Sequence, residues 1–238
     1  MRDRSALHPL LQQKIAELEK LCKKNGLKIG IGECLRTVAE QDALYAQGRT
    51  TPGNRVTNAR GSTYSSQHQW GIAFDFYRND GTGAFNEEGN FFARVGSLAK
   101  TLGLGWGGDW KSPVDQPHLY LPSWGSTTAK LRQQYETPHQ FRKTWVKHPV
   151  FQTDQTYAAT QACYLRTSAG AKSTNRVKYE TISNAVKKKC RRKQGYAVFK
   201  KNKTFHLTRV EYVGKNVWGR MKSGYWIPLV YKGETRVK

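Results

Sequence analysis

The sequence predicts an α+β domain followed by a small all-β domain. Three observations carry that prediction. In the first 150 residues, apolar positions recur at helical spacing in several segments, closed by glycine, with short strand-like runs between them. Beyond residue 158 the helical spacing gives way to short runs rich in β-branched and aromatic residues, separated by turn residues. Charge changes at the same place: residues 151–238 hold 20 Lys and Arg against 4 Asp and Glu, a net +16, whereas residues 1–150 hold 20 against 13, a net +7. Two domains are therefore expected, 1–150 and 159–238, with a polar connector over 148–158.

The elements follow in order. Leu10, Leu11, Ile15, Leu18 and Leu21 predict an amphipathic helix over 8–24, ended by Asn25-Gly26. A short strand is expected over 27–31. Thr37 with Glu40 three residues later is a capping-box pattern, opening a helix that Gly48 stops near Gln47. Residues 48–67, rich in Gly, Thr, Ser, Asn and Pro, read as a long loop, and loops of that length tend to be functional or disordered. Ile72-Ala73-Phe74 suit a buried strand, and Asp80-Gly81-Thr82-Gly83 a turn. A third helix is expected over 87–102, a Gly- and Trp-rich strand and turn over 104–110, a strand over 118–121, and short helices over 127–135 and 138–145. In the second domain, strands are expected over 162–166, 176–179, 196–200, 204–213, 217–221 and 225–231, with Phe199, Tyr212, Trp218, Trp226 and Val230 in the core. The run Lys187–Lys193 reads equally as a solvated loop or a binding patch.

Composition bounds the function. The chain has 238 residues and a formal net charge of +23. That charge implies an anionic partner: nucleic acid, a membrane surface or an anionic wall polymer. No recognition helix and no RNA-binding aromatic signature is present, so nucleic acid is not the expected partner. No window approaches the roughly 18 apolar residues that cross a bilayer, so membrane insertion is not expected. The N-terminal stretch mixes charged and apolar residues and does not read as a secretory signal. Cys22, Cys34, Cys163 and Cys190 form no Cys-x-x-Cys pair, and free buried thiols are expected.

The chemistry concentrates in Ser66-Gln67-His68-Gln69-Trp70-Gly71-Ile72-Ala73-Phe74-Asp75. His68 and Asp75 can both bind a metal. Asp75 follows an apolar run, and a buried carboxylate needs a partner or a cation. A His and an Asp at this spacing also suit a plain hydrogen-bonded pair. His118, with Asp115 three residues before it, adds a third candidate. Two His and one carboxylate make a catalytic zinc set, and zinc acidifies water and polarises a carbonyl. Such chemistry needs a general base near the water. Asp115 is the stronger candidate, and Asp109, in a Gly-Gly-Asp-Trp turn, the weaker.

These residues carry a resemblance. Ser66 to Asp75 matches every fixed position of Ser-x-His-x-x-Gly-x-Ala-x-Asp, and Asp115-Gln116-Pro117-His118 matches a second, acid-before-His element. The stretches 40–49, 56–59 and 106–110 extend the match, which covers about residues 7–146. The chain resembles the zinc peptidases that cleave peptidoglycan stem peptides: D-alanyl-D-alanine carboxypeptidases and, more closely, L-alanyl-D-glutamate endopeptidases. The resemblance implies an α+β zinc peptidase domain, an antiparallel sheet flanked by helices. It implies zinc on His68, Asp75 and His118, Asp115 as general base, Arg36 binding substrate and stabilising the oxyanion, and Gln41 contacting the peptide. Cys34-Leu35 and Thr37 flank Arg36 where the family has Gly-Tyr and Ser.

Residues 164–167, 178–179 and 218–229 resemble strands and hairpins of bacterial SH3-like wall-binding domains, which implies a small all-β SH3-like barrel. The expected protein is a monomeric phage endolysin made in a host cytoplasm and acting at the wall after release. Its expected partners are peptidoglycan and anionic wall polymers. D-Ala-D-Ala carboxypeptidase activity and a non-catalytic wall-binding role are the alternatives.

Overall fold

A computed structural model describes residues 3–238. Met1 and Arg2, the start of the stretch read as lacking an export signal, lie outside the described residues. The chain divides into two compact units, one running to Trp145 and one from Val146 to Lys238.

The first unit opens with α1 (Pro9–Lys24). Pro9 takes the first helical turn, where its missing N–H costs nothing, and the His8 ring accepts from the Leu10 N–H. Leu11, Ile15, Leu18 and Cys22 form the buried stripe, each apolar side chain stabilising by about 1.5–3 kcal/mol. Leu10 and Leu21, expected on that face, are only half-buried. Gly26, at φ 72°, turns the chain into β1 (Ile29–Ile31). The capping box forms: Glu40 N–H donates to the Thr37 hydroxyl and Thr37 N–H to the Glu40 carboxylate, opening α2 (Val38–Ala46).

β2 (Ala73–Arg78), β3 (Gly105–Trp106) and β4 (His118–Tyr120) complete one antiparallel sheet in the order β1-β2-β4-β3. Its core side carries Phe74, Phe76 and Leu119 against α1 and α3 (Phe91–Thr101). α3 is shorter than the expected 87–102 because Gly89 and Asn90 both take left-handed backbone, which interrupts a helix. α4 (Ala129–Tyr135) and α5 (Pro138–Lys143) close the unit.

The second unit is antiparallel β. β5 (Thr156–Ala158), β9 (Thr204–Val213), β10 (Asn216–Met221), β11 (Trp226–Tyr231) and β12 (Glu234–Thr235) form a five-stranded sheet in the order β12-β11-β10-β9-β5. β6 (Cys163–Tyr164), β7 (Cys190–Lys193) and β8 (Tyr196–Phe199) form a second, in the order β6-β8-β7. A closed SH3-like barrel is not formed among the described residues. The two sheets are joined where Arg166 bridges to Trp226, and the edges of the larger sheet meet around Ala159 and Val237, through backbone hydrogen bonds between Ala158 and Lys238 and from Thr160 to Arg236. Pro228 has no N–H to extend the ladder beyond Trp226 and β6 is two residues long, so the Arg166–Trp226 contact stays a single bridge.

Residues 176–179 make isolated bridges rather than a strand. The basic run Lys187–Lys193 is neither loop nor patch alone: it ends α6 (Asn184–Lys187) and supplies β7, an edge strand whose Arg191, Arg192 and Lys193 are exposed. Charge on an edge strand discourages pairing with another chain. Phe199, Trp218, Trp226 and Val230 are buried, while Tyr212 is only partly so. All four cysteines are free, Cys163 half-buried and the others buried. No helix among the described residues is long and apolar enough to cross a membrane.

Candidate active site

His68 stands in a 3-10 turn, Gln67–Trp70. Gly71 ends it at φ 67°, and a Cβ there would meet the Trp145 ring at 2.9 Å, so this motif position needs glycine twice over. The chain then enters β2. Ala73 is fully buried opposite Tyr120, and Asp75 pairs directly with His118 on β4. Directly opposed residues of an antiparallel pair project to one face, about 4.5–5.5 Å apart at Cβ. The turn and the sheet register thus bring together three side chains that lie far apart in sequence.

His68 Nε2 is 3.3 Å from Asp75 Oδ1, and His118 Nδ1 is 3.2 Å from the same oxygen. One ligand atom from each residue lies within 4.8 Å of the others. The outer nitrogen of each ring is held: His68 Nδ1 is 2.8 Å from the Cys34 carbonyl, and His118 Nε2 is 2.8 Å from Gln67 Oε1. Both partners are acceptors, so those nitrogens carry the protons and the inner nitrogens present lone pairs. Burial, above all, lowers the His118 pKa, against the hydrogen bond with Asp75. Burial works against the Asp75 charge, but His68 and His118 outweigh it and hold the carboxyl well below the usual range. Three donor atoms therefore converge in a buried place, where a proton or a cation must lie between the ring nitrogens and the carboxylate. That donor set fits a divalent cation of the zinc type, and the outer hydrogen bonds are those that orient metal-binding histidines.

Asp115 is half-buried at the end of the loop before β4, its N–H donating to the Gly107 carbonyl. A Cβ on Gly107 would meet the Asp115 carbonyl at 2.5 Å and His118 Cβ at 3.1 Å. Glycine there lets the loop fold Asp115 back towards His118. Burial raises the Asp115 pKa above its ordinary value; His118 opposes the shift and Asp75 adds to it. Asp109 is drawn away instead, to a surface ion pair with Lys100 at 3.0 Å.

Arg36 follows β1, its N–H donating to the His68 carbonyl at 3.3 Å. One terminal nitrogen donates to Gln41 Oε1 at 2.9 Å, and Nε faces Glu33 at 3.7 Å. Gln41 is 0% exposed, and its amide also donates to the Thr57 hydroxyl and the Ala59 carbonyl. Its hydrogen bonds are turned inward, so its geometry is that of a brace for Arg36 and the 57–59 loop, not of an open peptide contact.

Sequence reasoning passed over Gln67 as a variable position, yet it carries the acceptor that orients His118. It also gave no role to Trp110, whose ring lies 5.0 Å from the His118 ring and walls the site. Only the fold juxtaposes these residues with His118. A polar residue adjoining a motif histidine was the one available signal, and Gln69 shares it with Gln67.

Residues 60–121, which span both histidines, match a family described as D-alanyl-D-alanine carboxypeptidase. The chain is 43% identical over 126 residues to the peptidoglycan L-alanyl-D-glutamate endopeptidase CwlK of Bacillus subtilis, covering 49% of this chain and 74% of that protein. The chain belongs to this peptidase family. An L-alanyl-D-glutamate peptidase of a Listeria phage is 34% identical over 102 residues, covering 41% of this chain and 31% of the phage protein. The L-Ala D-Glu endopeptidase ChiX of Serratia marcescens aligns in structure with a TM-score of 0.37 and 22% identity, over 50% of this chain and 82% of that one. Membership makes the chain a metallopeptidase, and the converging histidine and aspartate side chains lie inside the matched segment.

Proposed function

We propose that the chain is a zinc-dependent peptidoglycan endopeptidase that hydrolyses the L-Ala–D-Glu bond of the stem peptide. The convergence of His68, Asp75 and His118, with the outer nitrogens of both rings already held, carries this reading. Those three residues would hold the ion, which when bound supplies a Lewis acid and an acidified water. Asp115 takes a proton from the attacking water and passes it to the departing amine. Its raised pKa suits a group that must both accept and give a proton. Arg36 donates to the peptide oxygen that gains charge in the tetrahedral transition state. Gln41 holds the guanidinium from behind, while its Nε, 3.7 Å from Glu33, has no hydrogen-bond partner among the described residues. Gln41 acts on substrate through Arg36.

The second unit is proposed to be an SH3-like wall-binding module that holds a monomeric enzyme on its polymer and raises the local substrate concentration. Its charge supports this: 20 basic against 4 acidic residues over 151–238. Synthesis in a host cytoplasm and action on the wall after release belong to the same reading.

Digestion of purified peptidoglycan tests the bond. New N-terminal D-Glu supports the proposal. Released D-Ala would replace it with the carboxypeptidase activity for which the matched family is described. No new terminus from walls of several genera, with zinc bound, would leave a non-catalytic binding protein.

A further inference from the structure

The three-stranded sheet β6-β8-β7 has two faces of different character. Residues directly opposed in an antiparallel pair project to one face, and successive residues of a strand alternate between faces. Cys163, Phe199 and Cys190 lie across one row, and Phe199 and Cys190 are buried in the core of the unit. The other face carries Tyr164, Val198 and Arg191 in one row and Tyr196 and Lys193 in the next. Lys178 bridges to Tyr196 from the other side of β8, so Lys178, Tyr196 and Lys193 complete that second row. Lys178, Arg191 and Lys193 are exposed, and both tyrosines are half-buried. Arg191 and Lys193 stand about 6.4–6.8 Å apart along β7, and Lys178 about 9.4–9.8 Å from Lys193 across two strand spacings.

This outer face has no counter-charge. Residues 151–238 contain four acidic side chains. Asp154 stands 3.9 Å from His206, and Glu211 and Glu234 pair with Arg209 and Arg236, away from this sheet. Glu180 pairs with Arg192, which alternation along β7 turns to the opposite face. Lys178, Arg191 and Lys193 therefore form no side-chain ion pair among the described residues. Arg176 adds a fourth positive charge. Its guanidinium stacks 4.3 Å from the centre of the Tyr164 ring and 5.8 Å from that of Tyr196, and the two rings meet edge to face at 6.4 Å. Charge on an edge strand discourages pairing with another chain. That accounts for Arg191 and Lys193 on β7, but not for Lys178 and Arg176, which lie beyond the other side of β8.

We infer that this face binds an anionic wall polymer of phosphate-linked polyol or sugar units, with Lys178, Arg191 and Lys193 on the phosphates and Tyr196 against the units between them. Exposed cations spread along and across one sheet match a chain of repeated single charges better than one compact anion. Single-stranded nucleic acid would bring the same phosphates, but it lays its bases on open aromatic faces. Here Arg176 already stands over both rings, with Arg166 a further 5.8 Å from the centre of Tyr164. Ring edges and phenol hydroxyls, which donate and accept hydrogen bonds, suit a hydroxyl-rich chain instead. The assignment rests on the wall-binding reading of this unit and gives that reading a surface.

Purified poly(glycerol phosphate) is titrated into the zinc-loaded full chain by calorimetry at physiological salt. A face variant carries Lys178→Gln, Arg191→Gln and Lys193→Gln. A control of equal charge carries Lys201→Gln, Lys215→Gln and Lys222→Gln, all exposed. Exposed substitutions of this kind leave stability nearly unchanged, and an unchanged unfolding transition checks that each variant is folded. Affinity should fall roughly tenfold in the face variant, the combined worth of three exposed charge contacts, and change little in the control. Equal weakening in both variants would mean that net charge alone does the binding, and overturns the face. So does an absence of polymer binding by the wild type. A single-stranded oligonucleotide bound as tightly, with the same loss in the face variant, would make the face a nucleic-acid site and overturn the polymer. Retention on intact walls then separates this assignment from the reading beneath it. Wild type retained, released when the phosphate polymers are chemically stripped, and a face variant that is not retained support the assignment. A face variant retained like the wild type keeps the wall-binding reading and overturns the face. A wild type that walls of several genera fail to retain ends the wall-binding reading, and the assignment with it.

Discussion

The two units use buried polar groups in opposite ways. In the peptidase unit, three acceptors face one another: two imidazole lone pairs and a carboxylate oxygen, with the ring protons turned outward to Cys34 and Gln67. In the second unit, buried N–H donors of Trp218, Arg166 and Arg236 have no acceptor among the described residues. The first arrangement asks for a cation. Net charge tracks the difference, +7 over residues 1–150 and +16 over 151–238. A buried site is therefore recognised by what it lacks, because an unmatched polar group away from water is costly unless a ligand matches it.

The largest effect that would break the contrast comes from the cation side. His118→Ala removes one of the three acceptors. Zinc content measured by emission spectrometry should fall from about one ion per chain to near zero, a tetrahedral site having lost a protein ligand. Wall clearing should vanish with it, as it should on chelation of the wild type, with zinc restoring only the latter. Clearing by the metal-free variant at the wild-type rate would sink the metal assignment.

Asp115→Asn separates holding the ion from using it. Zinc content should stay unchanged while hydrolysis falls by about 10²–10⁴, the usual worth of a general base. An equal loss of zinc would make Asp115 a ligand rather than a base.

Gln67→Leu sharpens the role of the outer hydrogen bonds. Loss of such a partner costs about 10–100-fold in metal affinity. Competition with a chromogenic chelator should show that weakening, and excess zinc should recover activity. Unchanged affinity would mean that the strand register alone orients His118.

Salt tests the anionic side. Raising ionic strength from about 0.1 to about 1 M shortens the screening length from about 10 to about 3 Å. Retention on walls should drop several-fold, while hydrolysis of a soluble stem peptide, which needs no anchoring, should change little. Equal loss in both assays would mean that the basic unit does not act separately.

The smallest effect is a displacement in pH. Asp115 must be ionised to accept a proton, and burial raises its pKa above 3.8. Activity on the soluble peptide should therefore fall as pH drops through a value above the ordinary carboxylate range, and Asp115→Glu should move that limb. A limb that stays put in Asp115→Glu would assign it to another group.

Much of the site was legible along the chain because local backbone chemistry wrote it there. Gly71 is required by a left-handed turn, Ala73 by a fully buried strand position, and His68 and Asp75 by their chemistry. The Thr37–Glu40 capping box formed as its spacing predicts. Gln67 was illegible because its partner His118 lies 51 residues away, and no local pattern links the two. Gln41 read as a peptide contact because a polar side chain next to a motif arginine looks available; burial at 0% exposure turned it inward. The α3 boundary failed because Gly89 and Asn90 read as ordinary residues of a helical turn until their left-handed backbone is seen.

The second unit was legible as short strands and not as an assembly. Periodicity marks where strands lie, but ladders are made with partners far along the chain, so the division into two bridged sheets was not readable. The basic run Lys187–Lys193 shows the same limit: charge marked it as exposed, and only pairing with Tyr196–Phe199 made it an edge strand.

By itself the sequence determined most element types of the first unit, the side chains there that can bind a metal, and the strong positive charge of the second unit. Those depend on residue chemistry and on spacings of a few positions. Tertiary structure alone decided that Asp75 stands opposite His118, that both ring protons point outward, and that Lys178 and Lys193 flank Tyr196. Register and packing are settled by contacts between distant segments, and hydrophobic burial, which is non-directional, leaves no local mark of which distant groups it will bring together.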